Sequence, residues 1–409
     1  MAAETSSLRA LIALPEVGRT LSASLVGRLP YAAIGLLLIL QVRELGGDYA
    51  DGGIAAGAFA LGLASLAPLI GRLVDRHGQG AVLVPAAVAC AVPLAAIALL
   101  PDGTQVAPVA GLAALAGMAF PPLSGAMRAL WPDLVPPARR HAIFALESVG
   151  VEVTFILGPL LLVGGLAALT SPGIGLAACA ALILAGTLAF AAAPSSRRWR
   201  PSGAPRTLAG ALASPALLTL MLAVACAGAS FGAIEVAAAA AAEEGGSQAL
   251  VGPLLAVWAL GSMVGGVLTA RGRAPADPRR RLGAMLAATA LADVLVALAP
   301  GLLLLGLALF LAGAFIAPAF ATLFAMVSDL AREGTLTESY TWLTTGLAGG
   351  AAVGAAAGGA LVEAASTHAA LGGAAVMVGL AAVVVTAGRR LLSPERRPMS
   401  FGAAAGRRA

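Results

Sequence analysis

Apolar residues run in blocks of about twenty, separated by short polar or glycine- and proline-rich gaps, almost from one end of the chain to the other. A helix rising about 1.5 Å per residue needs about 20 apolar residues to cross roughly 30 Å of hydrocarbon. Division at the gaps predicts twelve spans, near residues 20–42, 50–70, 80–100, 107–131, 141–168, 173–193, 215–242, 248–270, 282–299, 301–330, 339–364 and 368–388. In lipid every backbone N–H and C=O must find its partner inside the protein, so the spans are helices or a closed barrel. Runs of this length without polar/apolar alternation exclude the barrel. The predicted fold class is all-α and polytopic.

Composition agrees with the pattern. Hydrophobic residues make up 59% of 409 positions and charged residues only 11%, far below the share of about 25% in soluble domains. All 25 basic residues are arginine, and they cluster in every second gap. Arg72 and Arg76, Arg139 and Arg140, Arg197 to Arg206, Arg271 to Arg281, Arg332, and Arg389 to Arg408 fall in those gaps, whereas the intervening loops carry only Arg43. The positive-inside rule then predicts a cytoplasmic-membrane protein with these gaps and both termini in the cytoplasm, and assigns the charge to topology rather than nucleic acid. The N-terminus shows no short apolar core with a small-residue cleavage site, so the first span is expected to direct insertion. Cys90, Cys179 and Cys226 lie within spans without a CxxC pair, so neither a metal site nor a disulfide is expected.

One long polar connection, with RRWRPSGAPR at its centre, divides the chain nearly in half. The expected organisation is a six-helix bundle over 1–194, a cytoplasmic linker over 195–214, and a second six-helix bundle with a short cytoplasmic tail over 215–409. The halves look like copies. Gly46-Gly47 matches Gly245-Gly246, Leu61-Gly62 matches Leu260-Gly261, Gly71, Leu73 and Arg76 match Gly266, Leu268 and Arg271, and Asp133-Leu134 matches Asp329-Leu330, all about 195 to 199 residues apart. Duplicated halves with a substrate site near the midplane are a recurrent transporter design.

The gap after the second span reads Gly71-Arg72-Leu73-Val74-Asp75-Arg76-His77-Gly78. Gly71 lets a helix end near a neighbour, Gly78 allows a turn with φ > 0, and Asp75 supplies a charge that a helix N-terminus attracts. This stretch, with the duplication and the twelve spans, resembles the G-x-L-x-D-R-x-G loop of the major facilitator superfamily. The resemblance implies two pseudo-symmetric six-helix bundles and a conformational latch made of Gly71, Asp75, Arg76, Gly78 and Asp133, in which the aspartate meets the start of the eleventh helix near Glu338 to Thr341. Gln79 stands where the family usually has a basic residue, so a link to Asp133 must use Arg76 or His77, or be absent. The second half has Ala270 in place of Asp75, and a loop whose charges only fix topology is the competing reading. In the fifth span Gly158-Pro159 and Gly164-Gly165 loosely resemble the family's antiporter pattern, which implies gating by Gly158 and Pro159 and export; a kink serving only packing is the alternative. Gly346, Gly350, Gly354 and Gly358 place a smooth stripe on the eleventh helix, read either as a seam on which one bundle rocks or as static packing.

Ionisable side chains at membrane depth cost about 2.5 to 3.5 kcal/mol each on insertion scales and so mark sites. Arg28, Glu152 and Glu235 are the candidates for substrate or proton coupling, with Arg28 the expected neighbour of Glu152. The resemblance places Arg28 and Glu235 on helices that line a central cavity, although Glu235 could instead reach outward toward Glu243 and Glu244. Arg128, Glu147 and Asp293 are expected to be structural charges, the first two as an ion pair. A buried carboxylate can load and release a proton, so the expected energy source is a proton gradient, without a cofactor.

The leading functional expectation is a secondary transporter, working as a monomer in the bilayer and exporting small organic compounds against protons. Sugar or metabolite uptake is the alternative, disfavoured because aromatic residues are only 4%. A non-transporting sensor of the same fold would be expected to carry an appended soluble domain, for which the tail after Ser393 is short. His77, His141 and His368 are scattered without partner patterns, so no enzyme is expected.

Overall fold

The computed structural model describes residues 15–201, 210–246, 250–272 and 275–393. Arg206, Arg273, the start of the eighth predicted span and the chain's two ends, whose cytoplasmic location was expected, lie outside the described residues. Among the described residues twelve helical spans follow one another. They are α1 (Pro15–Arg28 and Tyr31–Glu44), α2 (Tyr49–His77), α3 (Gln79–Ala98), α4 (Val106–Met118 and Leu123–Leu134), α5 (Pro137–Gly158, then a π-helical Pro159–Ala167) and α6 (Pro172–Ala191). The second half repeats the series as α7 (Pro215–Glu244), α8 (Val251–Arg271), α9 (Pro278–Ala297), α10 (Leu302–Gly313 and Ile316–Leu330), α11 (Leu336–Ala364) and α12 (Thr367–Ala387). Eleven of these are long and apolar enough to cross a membrane. The exception, α9, has 20 residues but opens on Arg279, Arg280 and Arg281 and carries Asp293.

The helices start where side chains can satisfy free backbone amides. Ser171, Ser214 and Ser366 accept from the amides three residues on at the starts of α6, α7 and α12, and Asp277 accepts from two at the start of α9. Proline explains the breaks. Pro30 interrupts α1, Pro121 and Pro122 interrupt α4, and Pro159 removes the amide that would continue α5, which widens into a π-helix. These three spans were expected to be continuous. The breaks in α4 and α10 fall at corresponding places in the two halves, so the duplication extends from sequence to backbone.

Glycines bring backbones together, though not where the sequence suggested. The stripe Gly346, Gly350, Gly354 and Gly358 lies against Met221, Ala225, Ala229 and Ala233 of α7, within one bundle rather than on the seam between bundles. The repeated Leu-Gly pair has the same explanation in each half: Gly62 of α2 abuts Ala114 of α4, and Gly261 of α8 abuts Phe310 of α10. Gly53 and Gly57 touch nothing, and Gly150 and Gly158 face Leu25 and Leu29 of α1. Gly71, under Thr341, its counterpart Gly266, under Val149 of α5, and Gly125 of α4, beside Thr337 and Thr341 of α11, sit between the bundles.

Candidate functional site

The bundles meet on the side that carries the arginine-rich connections. There α11 begins without help from its own N-cap residue, Thr335, whose side chain makes no capping bond. Asp75 takes that role from the other bundle. The amides of Thr337 and Glu338 donate to its Oδ1 and Oδ2 at 3.0 and 2.8 Å, the two positions an N-cap side chain ordinarily serves. Its carboxylate is buried, and it faces the positive end of a 29-residue helix. Gly71 makes the approach possible, since a Cβ there would stand 2.6 Å from Thr341 Oγ1 and 3.2 Å from Glu338 Cα. Arg72 adds an ion pair, Nη2 to Glu338 Oε1 at 2.7 Å, and the amide of Ala211, at the end of the connection between the halves, donates to the same oxygen at 3.2 Å. Gly78 turns the chain between α2 and α3 with φ of +94°.

Two of the expected latch residues are elsewhere. Arg76 and Asp133 are exposed and are not brought together. The link from the loop to α4 runs instead through Gln79, the residue that departs from the family pattern: its buried amide donates from Nε2 to the Ala126 carbonyl at 2.8 Å. A neutral amide can make this bond at a buried position where a cation would need a counter-charge.

The intramembrane charges also regroup. Arg28 does not approach Glu152; it joins Arg128 on Glu147. Arg28 Nη1 lies 3.3 Å and Arg128 Nε 2.9 Å from Glu147 Oε1, and the glutamate is fully buried. One carboxylate between two guanidinium groups leaves a net positive charge, and Arg128 places its guanidinium 3.6 Å from the centre of the Phe324 ring of α10. The contact crosses the bundle boundary. Phe144 of α5 and Tyr340 of α11 cross it again, with ring centroids 6.3 Å apart, and Arg140 reaches Asp329 at 3.3 Å.

Glu152, one turn and a half deeper on α5 than Glu147, accepts from Ser262 Oγ of α8 at 2.8 Å. This bond too joins the bundles, and among the described residues no cation stands at the carboxylate. Glu235 is exposed on α7, one turn beyond Phe231 and on the same helix face. Phe231 packs on Trp258 of α8 and Phe320 of α10, and Phe320 on Phe324, so a run of four rings lies on the C-terminal bundle. Glu235 therefore lies one helical turn from the first of those rings. Asp293 is buried between α9 and α7, where Ser230 Oγ donates to Oδ2 at 3.1 Å and Oδ1 has no donor. Gly158 and Pro159 stand where α5 passes the break in α1, the glycine against the Leu29 carbonyl.

Sequence reasoning named Glu338 and Arg72 but missed their ion pair, and it overlooked Ser262 and the packing of the four rings. An i, i+4 pair of phenylalanines, Phe320 and Phe324, in so aromatic-poor a chain was the available signal for the rings. A single serine in a span carries no such signal. Among the described residues no group of His, Cys, Asp and Glu is arranged to hold a metal.

Comparison with known proteins fits this architecture. The chain is similar in fold to a bacterial homologue of the iron transporter ferroportin in its outward-facing state, with a TM-score of 0.75 at 16% identity over 92% of this chain and 100% of that one. It is similar also to the E. coli fucose:proton symporter FucP, with a TM-score of 0.70 at 15% identity over 94% and 99%, and to the human organic anion transporter MFSD10, with 0.68 at 16% over 91% and 99%. No curated protein matches it by sequence. At these identities the structures speak for the fold alone, but the sequence model of the Major Facilitator Superfamily matches residues 20–282. Twelve spans in two duplicated bundles, joined by an aspartate on the start of α11 and covered over most of their length by that match, make this chain a membrane transporter that belongs to the major facilitator superfamily.

Proposed function

We propose that the chain exports small amphipathic or cationic organic compounds across the cytoplasmic membrane in exchange for protons, with its arginine-rich side in the cytoplasm. The observation that carries the reading is the bond between Glu152 and Ser262. It spans the boundary between bundles, so a movement that parts α5 from α8 takes the hydroxyl away from the carboxylate and changes the environment on which its proton affinity depends. Among the described residues no arginine neutralises Glu152, in contrast to Glu147. Glu235 extends the same logic to the substrate: a carboxylate one helical turn from Phe231, whose ring packs on Trp258 and Phe320, sets one negative charge near an aromatic cluster, which suits an amphipathic cation. The Asp75 contact closes the arginine-rich side, and its rupture is the step that would expose the site to the cytoplasm.

The test is proton flux in proteoliposomes, read with an internal pH dye, against a panel of lipophilic cations, sugars and organic anions. Exchange of cations for protons is expected in the wild type and is expected to disappear in Glu152→Gln, which keeps a hydrogen bond to Ser262 but cannot ionise, while thermal stability is retained. Unchanged pH-driven flux in both Glu152→Gln and Glu235→Gln would remove these acids from the mechanism.

A further inference from the structure

We infer that the chain carries a second binding site, for a phosphate group, on its arginine-rich face between the start of α3 and the end of α6. A cavity of about 240 Å³ opens there, bordered by His77, Gly80, Ser196, Arg197, Trp199 and Arg200. Its floor is the N-terminus of α3, a 20-residue helix preceded by Gly78, which has no side chain to cap the first-turn amides. A Cβ on Gly80 would meet nothing nearer than Ala191 Cβ at 3.9 Å, so a ligand atom has room to approach the backbone.

Ser196 provides the independent sign that something polar belongs in the space. It borders the cavity, is only 3% exposed, and its Oγ has no hydrogen-bond partner. A buried hydroxyl left unpaired costs free energy of the same order as a lost hydrogen bond, which an anion oxygen at that point would recover. The charges agree. Among the described residues no carboxylate borders the cavity, and Arg197, Arg200 and His77 all do. Arg200 is already anchored by bonds from Nη1 to the carbonyls of Arg197 and Trp199, at 2.6 and 3.3 Å, which leaves its remaining donors placed at the rim. A tetrahedral phosphate accepts from backbone amides, a hydroxyl and a guanidinium together, the combination found here.

Two sources carry that chemistry, the phosphodiester of an anionic lipid headgroup and a free phosphate, and the experiment separates them. Full-length protein in detergent is titrated with phosphatidylglycerol or phosphatidylcholine and read by native mass spectrometry, and separately with inorganic phosphate and read by melting temperature. A saturable site is expected in one arm, weakened about tenfold in Arg197→Gln/Arg200→Gln and also weakened in Ser196→Ala. The pair Arg139→Gln/Arg271→Gln, which removes the same charge from exposed positions away from the cavity, is expected to leave it intact. Saturation by phosphatidylglycerol but not phosphatidylcholine identifies a lipid site; saturation by inorganic phosphate identifies a soluble ligand. Binding that is equal in wild type and Arg197→Gln/Arg200→Gln in both arms, or that the control pair weakens as much, overturns the inference.

Discussion

Replacing Asp75 with asparagine tests the proposal that its contact with α11 closes the arginine-rich side. The aspartate offers one oxygen to each of two amides, those of Thr337 and Glu338. Asparagine has a single acceptor oxygen, so one amide keeps a neutral hydrogen bond while the other faces an NH2 group. A hydrogen bond to a charged partner contributes about 1.5 to 3 kcal/mol, and the favourable interaction of the charge with the helix terminus adds about 0.3 to 1 kcal/mol. The carboxylate also bears a desolvation cost in the closed state that asparagine escapes, which reduces the net loss. About 2 kcal/mol remains, or roughly a 30-fold shift away from the closed state. The neighbouring Arg72–Glu338 pair cannot offset this, because Arg72 is about a quarter exposed and exposed pairs contribute about 0 to 1 kcal/mol. The assay is the distance between spin labels at Arg76→Cys and Glu333→Cys, both exposed at the ends of the loops on this side. Wild type is expected to give mainly the short distance, and Asp75→Asn a dominant longer one at unchanged thermal stability. An identical distance distribution in the folded variant would refute the assignment of the closed state to this cap.

Two further outcomes follow from packing. Glu147→Gln leaves Arg28 and Arg128 buried side by side without an anion, and a loss of about 3 to 5 kcal/mol is expected, read as a large drop in melting temperature; a change of under a degree would show that the charges are solvated. Gly354→Leu drives a side chain into the backbone of Ala229, and a destabilisation of at least about 1 to 3 kcal/mol is expected, again by melting temperature, whereas Gly53→Leu, with nothing near it, is expected to be neutral.

Span number and duplication were legible in the sequence because each is a one-dimensional pattern: hydropathy and a common offset. Gly71, Asp75 and Gly78 were legible because a local motif sets their geometry. The partners were not. Arg28 was assigned to Glu152 on depth alone, but depth does not fix the direction in which a side chain leaves its helix, and the rotation of α1 and α5 brings Arg28 to Glu147. The glycine stripe of α11 was likewise visible, yet a smooth face does not say which helix covers it, and α7 does so within the same bundle. Gln79 was noticed as a departure, and its use became clear only with the Ala126 carbonyl in view.

The duplication sharpens what the differences between halves mean. Gly71 and Gly266 occupy equivalent places and each admits a helix from the opposite bundle, so the two seams, α2 with α11 and α8 with α5, are built on one plan. Only one carries an acid at its end. Where Asp75 caps α11, the second half places Ala270, and the start of α5 receives no such cap from α8. The second seam is joined instead deeper in the membrane, by Ser262 on Glu152. The Asp75 cap stands at the end of its seam, whereas the Glu152 carboxyl lies within its seam, where gain or loss of a proton would change its hydrogen bonding. Under the proposed function, divergence of the two copies would separate closure from proton sensing, and a rocking motion that parts both seams together is what would couple them.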